Sequence, residues 1–113
     1  MRFNWDPKKA GTNQRKHGVS FDEAATVFLD PHALSGPDPD HSIDEERYVT
    51  FGYSRLGRLI AVCHAYRPGA IRIINARRVT RSERELYEEN QRRNETRVQT
   101  LRFCEAQAGK VLR

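Results

Sequence analysis

The chain has 113 residues, of which 37% are hydrophobic and 31% are charged, and its formal net charge is +5 at pH 7. A chain of this length forms one compact domain, which buries roughly two thirds of the surface that the unfolded chain exposes. The composition excludes a disordered protein, and no stretch has the length and apolarity of a membrane span. The first residues lack the apolar stretch of a signal peptide, so we expect a cytoplasmic protein.

The charge is distributed unevenly along the chain. Residues 1–22 hold five Lys or Arg against two Asp, residues 23–46 hold seven acids and no Lys or Arg, and residues 47–113 hold fifteen Lys or Arg against six Glu. Two basic segments that flank an acidic one indicate a surface that binds a polyanion beside an acidic loop. The alternative is a charged surface that only keeps the protein soluble.

The chain begins with a predicted short strand and a polar helix. Phe3 and Trp5 alternate with polar residues, as in a strand. Asp6 has the position of an N-cap for a helix over about residues 7–17, which Gly18 ends. Because this helix is almost wholly polar, it needs the domain or a ligand beside it to be stable.

A second helix and a long loop follow. Ser20 and Glu23 have the spacing of a capping box, in which each side chain accepts from the other residue's backbone amide. The apolar helical stripe that they open stops at Asp30. Residues 32–46 are rich in acids, proline and glycine, and they predict an exposed loop with a short strand around residues 33–35.

Three consecutive strands and a last helix are predicted in the second half. Residues 47–53, 58–66 and 71–77 have strand patterns and are separated by short turns, which predicts an antiparallel meander. Thr80 and Glu83 form a second capping box that opens the last helix. We place the domain at residues 1–88 and interpret residues 89–113 as a helical extension.

The third strand carries arginines among apolar residues. Strict alternation divides its side chains between two faces, with Ile71, Ile73, Asn75 and Arg77 on one and Arg72, Ile74, Ala76 and Arg78 on the other. If the helices cover one face, the other is a shallow cleft that draws on His64, Tyr66, Arg67 and one arginine pair. Guanidinium groups suit phosphate because they bind its oxygens bidentately and stay charged.

Structural alternatives stand beside these functional interpretations. Arg72 could instead pair with a loop carboxylate, Glu45 or Glu46. His17 could act as a general acid or base, or it could only interact with the dipole at the end of its helix. Tyr66 could stack on a base or merely pack at the rim.

Other kinds of chemistry find little support in the spacing. The histidines and the two cysteines, Cys63 and Cys104, lack the spacing of a zinc site, and the cysteines have the character of buried or inert thiols. No triad arrangement and no phosphate-binding glycine loop is recognisable. We therefore expect no metal and no cofactor. Cleavage of RNA by its own 2′-hydroxyl fits, since the protein then only orients the strand, moves protons and stabilises phosphate charge.

A resemblance to a known family covers almost everything up to residue 88. Its three matching runs are FNWDPKKAGTNQRKHGVSFDEAATVFLDPHAL at 3–34, DHSIDEERYVTFGYSRLGRLIAV at 40–62 and IRIINARRVTRSERELYE at 71–88. The combination of W-D-P-x-K, K-H-G-V-S-F, H-S-x-x-E-E-R and R-I-I-x-A-R is specific, although each motif alone would be weak. In these runs the chain resembles the BrnT family of type II toxins. It differs in Asn75, where a serine is common, and in a longer tail.

The resemblance implies an α+β, RelE-like fold, for which we expect a small antiparallel sheet with two N-terminal helices packed on it and a C-terminal helix. It also implies cleavage of RNA without a metal, and neutralisation by a ribbon-helix-helix antitoxin of the BrnA type, in a complex that could be a heterotetramer. Operator DNA would be read only by the antitoxin. The positions that match the family's motifs are Lys16, His17, Glu46, Arg47, Arg72 and Arg77.

Our first interpretation is a toxin endoribonuclease that inhibits translation. The residues predicted to hold the scissile phosphate are Arg67, Arg72 and Arg77. Proton transfer is assigned to His17 or Glu46. The residues predicted to bind RNA are Lys9, Lys16, Arg47, Tyr66 and Arg78. The second interpretation is a catalytically inactive module that binds nucleic acid or an antitoxin in operon autoregulation, and the third is a scaffold whose tail recruits other proteins.

Overall fold

A computed structural model describes residues 2–38 and 45–93. Its strands are β1 (Arg2–Asn4), β2 (Leu34–Pro37), β3 (Tyr48–Tyr53), β4 (Leu59–Arg67) and β5 (Ala70–Arg78). Its helices are α1 (Pro7–His17), α2 (Phe21–Thr26) with a 3-10 turn at Val27–Leu29, and α3, to which residues 81–93 belong. The α+β class is confirmed, and the three meander strands agree with the predicted bounds within one residue. Most of the predicted extension, residues 94–113, and Cys104 with it, lies outside the described residues.

The strands form one sheet in the order β1-β5-β4-β3-β2. The meander is confirmed, because β3, β4 and β5 pair antiparallel. The expectation of a wholly antiparallel sheet is wrong, since β1 pairs parallel with β5. Tight turns enforce antiparallel pairing only between strands that they join, and along the chain β1 is separated from β5 by α1, α2 and the other three strands.

The main core lies between the sheet and the elements that follow β1. The residues buried here are Val19, Phe21, Ala24 and Val27 from the helical side and Ile60, Val62, Ile73 and Ala76 from β4 and β5. Phe3, Trp5 and Ala10 pack around them. We call this side of the sheet the helix face. None of the helices in the described part of the chain is long and apolar enough to cross a membrane.

A smaller core lies on the opposite side of the sheet, where α3 contributes Tyr87. This ring is 1% exposed and packs against Phe51, Leu59 and Ala61. Its hydroxyl donates a 2.6 Å hydrogen bond to Asp30. Since Asp30 follows the 3-10 turn, this bond connects α3 to the end of the second helical segment.

Two capping boxes were predicted, and only the one at the start of α3 is complete. At α3 the box is complete, because Thr80 N donates to Glu83 Oε1 (2.8 Å) and Glu83 N donates to Thr80 Oγ1 (3.2 Å). At α2, Glu23 N donates to Ser20 Oγ (3.0 Å), but the Glu23 carboxylate does not return the bond. It accepts from Arg58 Nε at 2.8 Å instead, and Arg58 forms an ion pair with it.

The side chain of Asn13 connects α1 to β5 by hydrogen bonds. Asn13 is 6% exposed, and its Nδ2 donates to Ala76 O (2.8 Å) and to Val19 O (3.0 Å), while Ala76 N donates to Asn13 Oδ1 (3.1 Å). Because β1 pairs with β5 only over residues 70–72, Ala76 lies on an edge without a neighbouring strand. The Asn13 amide therefore takes the place of a strand there and satisfies both backbone groups.

A β-bulge interrupts the pairing of β4 with β5. Cys63 lies opposite Asn75 and His64 lies opposite Ile73, which leaves Ile74 without a partner residue. The extra residue exchanges the two faces of the strand beyond it. The predicted faces are therefore wrong from Asn75 onward. By register, Arg72, Asn75 and Arg77 share one face, and Ile71, Ile73, Ala76 and Arg78 share the helix face.

Candidate functional site

Several arginines lie on the side of the sheet opposite the helix face. Arg72 and Arg77 lie there because of the bulge, and Arg67 lies there because it pairs with Ala70. Arg47, directly before β3, belongs to the same group, since its charge acts together with those of Arg67 and Arg72 on one carboxylate. We call this group, Arg47, Arg67, Arg72 and Arg77, the arginine face.

Arg67 and Arg77 form ion pairs with carboxylates. Arg67 Nη1 lies 2.7 Å from Glu45 Oε2. Arg77 donates two bonds to Glu83, from Nη1 to Oε1 at 2.7 Å and from Nη2 to Oε2 at 2.9 Å. Glu83 thus belongs both to the cap of α3 and to an ion pair with β5.

Arg72 is bound differently. Its Nη1 donates to Asn4 Oδ1 at 3.1 Å, and it forms no ion pair within residues 2–38 and 45–93. The alternative that Arg72 pairs with a loop carboxylate such as Glu45 or Glu46 is not seen for these two residues, since Arg67 pairs with Glu45 instead; two other acids of the loop lie outside the described residues. Arg72 still contributes to the positive field that lowers the pKa of Glu45, behind the Arg67 hydrogen bond and the charges of Arg67 and Arg47.

A small cavity of about 40 Å³ lies beneath the arginine face, and its lining residues are Asp38, Val49, Ala61, Cys63, Asn75 and Arg77. Burial and the nearby charge of Asp38 raise the pKa of the Cys63 thiol to about 11, although Arg47 and Arg77 act to lower it. Cys63 is thus a buried, protonated thiol near neutral pH, as the sequence indicated. The cavity is too small for a nucleotide.

A second basic region lies between α1 and the bulge. It is a groove of about 310 Å³, and its lining residues are Lys8, Lys9, Thr12, Asn13, Lys16, His17, Ile74 and Asn75. No carboxylate lines it. Its three lysines form no ion pair with any residue that the structure describes. We call this region the α1 groove.

Asn75 connects the two basic regions. It lines the α1 groove, and it also lines the small cavity beside Arg77. Its position follows from the bulge, which turns Asn75 toward the face of Arg72 while its neighbour Ile74 stays in the groove. The Asn75 amide has no hydrogen-bond partner among the described residues.

Glu46 and Tyr66 lie outside both the arginine face and the α1 groove. Glu46 Oε2 accepts a 3.0 Å hydrogen bond from the Tyr48 hydroxyl, and the Tyr48 ring lies 5.0 Å from the Tyr66 ring. Tyr48 and Tyr66 belong to the helix face, because they pair with His64 and Ile71. The structure therefore separates Glu46 and Tyr66 from the arginine face by the thickness of the sheet.

His64 does not line an open cleft, and its predicted place there is wrong. The side chain is 0% exposed on the helix face, where the Phe28 ring lies 4.9 Å away. Its Nε2 shares a 2.8 Å hydrogen bond with Thr50 Oγ1. Burial lowers its pKa to about 4, so the ring is neutral near pH 7.

The ten predicted site residues are thus divided among separate surfaces. The arginine face contains Arg47, Arg67, Arg72 and Arg77, and the α1 groove contains Lys9, Lys16 and His17. Arg78 is exposed on the helix face, where it pairs with Ile60, apart from the arginine face. Lys8 and Asn13 were not predicted as site residues. The adjacent isoleucines at 73 and 74 interrupt the alternation and could have indicated the bulge.

Metal ligands are not concentrated anywhere in the described residues. Over residues 2–38 and 45–93, no group of three or more His, Cys, Asp or Glu side chains could hold a metal ion.

Comparisons with known proteins identify a family and a similar fold. A family model described as the ribonuclease toxin BrnT of type II toxin-antitoxin systems matches residues 5–83. The fold is similar to the crystal structure of the Brucella abortus ribonuclease toxin BrnT, with 24% sequence identity and a TM-score of 0.56, over 72% of this chain and 99% of that one. No curated protein matches the chain.

Proposed function

Because the chain belongs to the BrnT family of ribonuclease toxins of type II toxin-antitoxin systems, we propose that it is an endoribonuclease that cleaves RNA on the arginine face without a metal ion. The family implies an antitoxin partner. The residues that act on the RNA, and the means by which they do so, are our proposal.

One observation carries it, which is the bulge at Ile74. Without the bulge, Arg72 and Arg77 would lie on opposite faces of β5; with it, they share a face with Arg67. Guanidinium groups on one face of a strand can bind the nonbridging oxygens of successive phosphates of one RNA strand. They can also stabilise the extra negative charge that develops when the neighbouring 2′-hydroxyl attacks the phosphorus.

The three arginines have different parts in this proposal. Arg72, which forms no ion pair among the described residues, supplies the main contact with the scissile phosphate. Arg67 and Arg77 are held in place by Glu45 and Glu83, so they add positive charge at fixed positions. Fixed donors suit catalysis because they need little reorganisation as charge develops.

We assign proton transfer to His17 rather than to Glu46. His17 lies in the α1 groove, which shares Asn75 with the arginine face. Glu46 lies on the helix face and accepts from Tyr48. In this proposal the scissile linkage lies at Asn75, where the RNA turns, so that its sugar reaches His17 in the groove while its phosphate reaches the arginine face; Glu46 lies beside Tyr48 instead. Arg47 lies beside the phosphate path, and Lys9 and Lys16 bind the backbone in the groove. Tyr66 and Arg78 lie on the helix face and make outer contacts at most.

The wider setting of the proposal comes from the family resemblance. We propose that the fold is RelE-like, that cleavage inhibits translation in the cytoplasm, and that a BrnA-like ribbon-helix-helix antitoxin neutralises the protein, in a heterotetramer. Operator DNA would be bound by the antitoxin alone. We further propose that residues 1–88 form the toxin domain and that residues 89–113 form an addition to it.

The proposal is tested with purified protein and single-stranded RNA in the presence of EDTA. We expect products with 2′,3′-cyclic phosphate and 5′-hydroxyl ends, because the substrate's own hydroxyl is the nucleophile. RNA in which a 2′-O-methyl group blocks each hydroxyl should remain whole. Intact RNA with the unblocked substrate, across several sequences and salt concentrations, would contradict the proposal.

A second candidate function has one observation in its favour. Arg67 and Arg77 are both paired with carboxylates, as in a protein that uses arginines for structure. This favours a catalytically inactive module that binds nucleic acid or an antitoxin. Expression in a bacterial host distinguishes the two: growth arrest that Arg72→Ala abolishes supports the enzyme, and harmless expression of folded protein supports the module.

A further inference from the structure

We propose that the α1 groove is a second phosphate-binding site for the same RNA strand, and that the path between groove and arginine face restricts the substrate to single-stranded RNA. This inference rests on the proposed function, because it takes the arginine face as the place of cleavage. It adds a binding site and a substrate class.

The charge of the groove is the first step. Lys8, Lys9 and Lys16 line it together with His17, and the lining contains no Asp or Glu. Cations that no protein carboxylate neutralises are balanced by ions from solution, and a polyanion that displaces those ions gains entropy. The groove therefore has the electrostatic character of a site for a nucleic-acid backbone.

The neutral groups in the groove agree with a backbone ligand. Thr12 offers a hydroxyl, and the Asn75 amide offers a donor and an acceptor that no described residue uses. Lysines on a helix bind phosphates as point charges and do not distinguish bases. We therefore expect the groove to position the strand without selecting its sequence.

The relation between the two basic regions is the second step. The α1 groove lies along the edge of β5 that β1 leaves uncovered, and the arginine face lies on the far side of the same strand. Asn75 borders both regions. An RNA that contacts Lys9 and Arg72 at the same time must therefore turn around one β-strand at Asn75.

Only a flexible strand can make that turn. Layers of secondary structure that pack face to face lie about 10 Å apart, so the turn around β5 takes place over a distance of that order, whereas a DNA duplex keeps its direction over roughly 500 Å. Single-stranded RNA has no such stiffness, and its unpaired backbone can follow a groove around an edge. A duplex can reach the groove or the arginine face, but it cannot occupy both.

Binding is measured with a 2′-O-methyl oligonucleotide, which cannot be cleaved through its 2′ position. The variant Lys9→Gln/Lys16→Gln removes two groove cations. The matched control, Arg81→Gln/Arg92→Gln, removes two exposed cations from α3. Affinity is determined at several salt concentrations for the single strand and for a duplex of the same phosphate content.

We expect the groove variant to bind the single strand roughly tenfold more weakly at low salt, and to lower the slope of log affinity against log salt by about 1.4, since each lost contact removes about 0.7. The control should keep the slope of the unchanged protein. The unchanged protein should bind the duplex more weakly and with a smaller slope than the single strand.

Two results would overturn the inference. An unchanged affinity and slope for Lys9→Gln/Lys16→Gln would show that the groove does not hold the backbone. A duplex that binds as well as the single strand would refute the path around β5. Neither result depends on cleavage, which is measured separately with unblocked RNA; absence of cleavage there would overturn the proposed function without affecting the binding comparison.

Discussion

The arginine face and the α1 groove are both basic, but they hold their charges in different ways. On the arginine face, Arg67 and Arg77 are bound to Glu45 and Glu83. In the groove, the three lysines form no ion pair with a described residue, and no carboxylate lines the groove. Paired arginines have fixed positions and a reduced field, whereas solvated lysines keep their full attraction for a polyanion and have little fixed geometry.

From this difference we infer that the arginine face and the α1 groove have different functions in binding RNA. A reacting phosphate needs donors at defined positions, and the carboxylates that hold Arg67 and Arg77 provide that order at some cost in net charge. A passing backbone needs only positive potential, which the lysines provide. Net charge alone does not distinguish the two surfaces, because what matters is where the acids lie.

The largest expected effect comes from Arg72, which lies on the arginine face and forms no ion pair within residues 2–38 and 45–93. Arg72→Ala should lower the rate of RNA cleavage by roughly 10²- to 10³-fold, the usual loss when one donor to a developing oxyanion is removed. Arg72→Lys should remain strongly impaired, since an ammonium group lacks the guanidinium fork. Rates are measured with excess enzyme on a labelled oligonucleotide, and circular dichroism checks the fold.

Arg81→Ala serves as the control for this experiment, because Arg81 is exposed on α3 and lines neither the α1 groove nor the small cavity beside Arg77. Cleavage by Arg72→Ala at the rate of the Arg81 control would place the reaction elsewhere on the molecule.

The next largest effect is expected at Asn13, whose side chain joins α1 to β5 by hydrogen bonds. Asn13→Ala leaves two backbone groups of Ala76 and the Val19 carbonyl without their partner, and should lower the free energy of unfolding by about 2–3 kcal/mol. Urea denaturation measures it, with the exposed neighbour Gln14→Ala as control. Equal stability of the two variants would mean that water replaces the amide without loss.

Glu83 tests the paired character of the arginine face. Hydrogen bonding with Arg77 holds the pKa of Glu83 below its ordinary value of 4.5 in the folded protein. The pair therefore contributes its full stability above about pH 4.5 and loses it as the pH falls through the lower folded value. Because both groups are partly exposed, Glu83→Gln should cost only about 1 kcal/mol at neutral pH.

The measurement is the difference in unfolding free energy between the unchanged protein and Glu83→Gln from about pH 6 to about pH 3. The difference should shrink toward the acidic end. A difference that stays constant over this range would show that the charge of Glu83 adds nothing to its hydrogen bonds.

The smallest expected effect is at the groove. Lys16→Gln should change the free energy of unfolding by less than about 0.5 kcal/mol, since Lys16 has no ion pair within the described residues and is exposed. The experiment uses the same urea titration and the same salt as for Glu83→Gln. If Lys16→Gln were as destabilising as Glu83→Gln, the contrast between the paired face and the unpaired groove would disappear.

Local signals in the sequence predicted the elements well, because short-range chemistry determines them. The helix from Pro7 to His17 begins at an Asp6 cap and ends at Gly18 in the left-handed conformation, with φ of 69°. The meander strands follow from alternation and short turns. The α+β class and the family came from the resemblance of the runs at 3–34, 40–62 and 71–88 to the BrnT family.

Local patterns could not predict contacts between residues that are distant in sequence, as the two capping boxes show. Ser20 and Glu23 have the same spacing as Thr80 and Glu83, yet only the second box is complete. Arg58, 35 positions away, binds the Glu23 carboxylate more strongly than a backbone amide does. A spacing rule cannot include a competitor that only the folded chain brings near.

The sequence predicted that arginines of the last strand share a surface, but it assigned some of them to the wrong face. Arg67, Arg72 and Arg77 do share a surface, but alternation placed Arg72 and Arg77 apart, because it does not allow for an extra residue in the strand. The role of Asn13 was missed, since a polar residue in a polar helix looks like a solvated one. The predicted roles in RNA binding and catalysis remain predictions.

Because of the bulge, the number of residues in β5 determines which face each side chain of the strand lies on. Exchange of Ile74 for another apolar residue would alter packing only locally, whereas deletion of that single position would restore strict alternation and carry Arg77 toward the apolar layer beneath α1. The strand should therefore tolerate a change of residue here far better than a change in the number of residues. Among natural relatives, insertions and deletions would be expected in the connecting loops and not between Ile73 and Asn75.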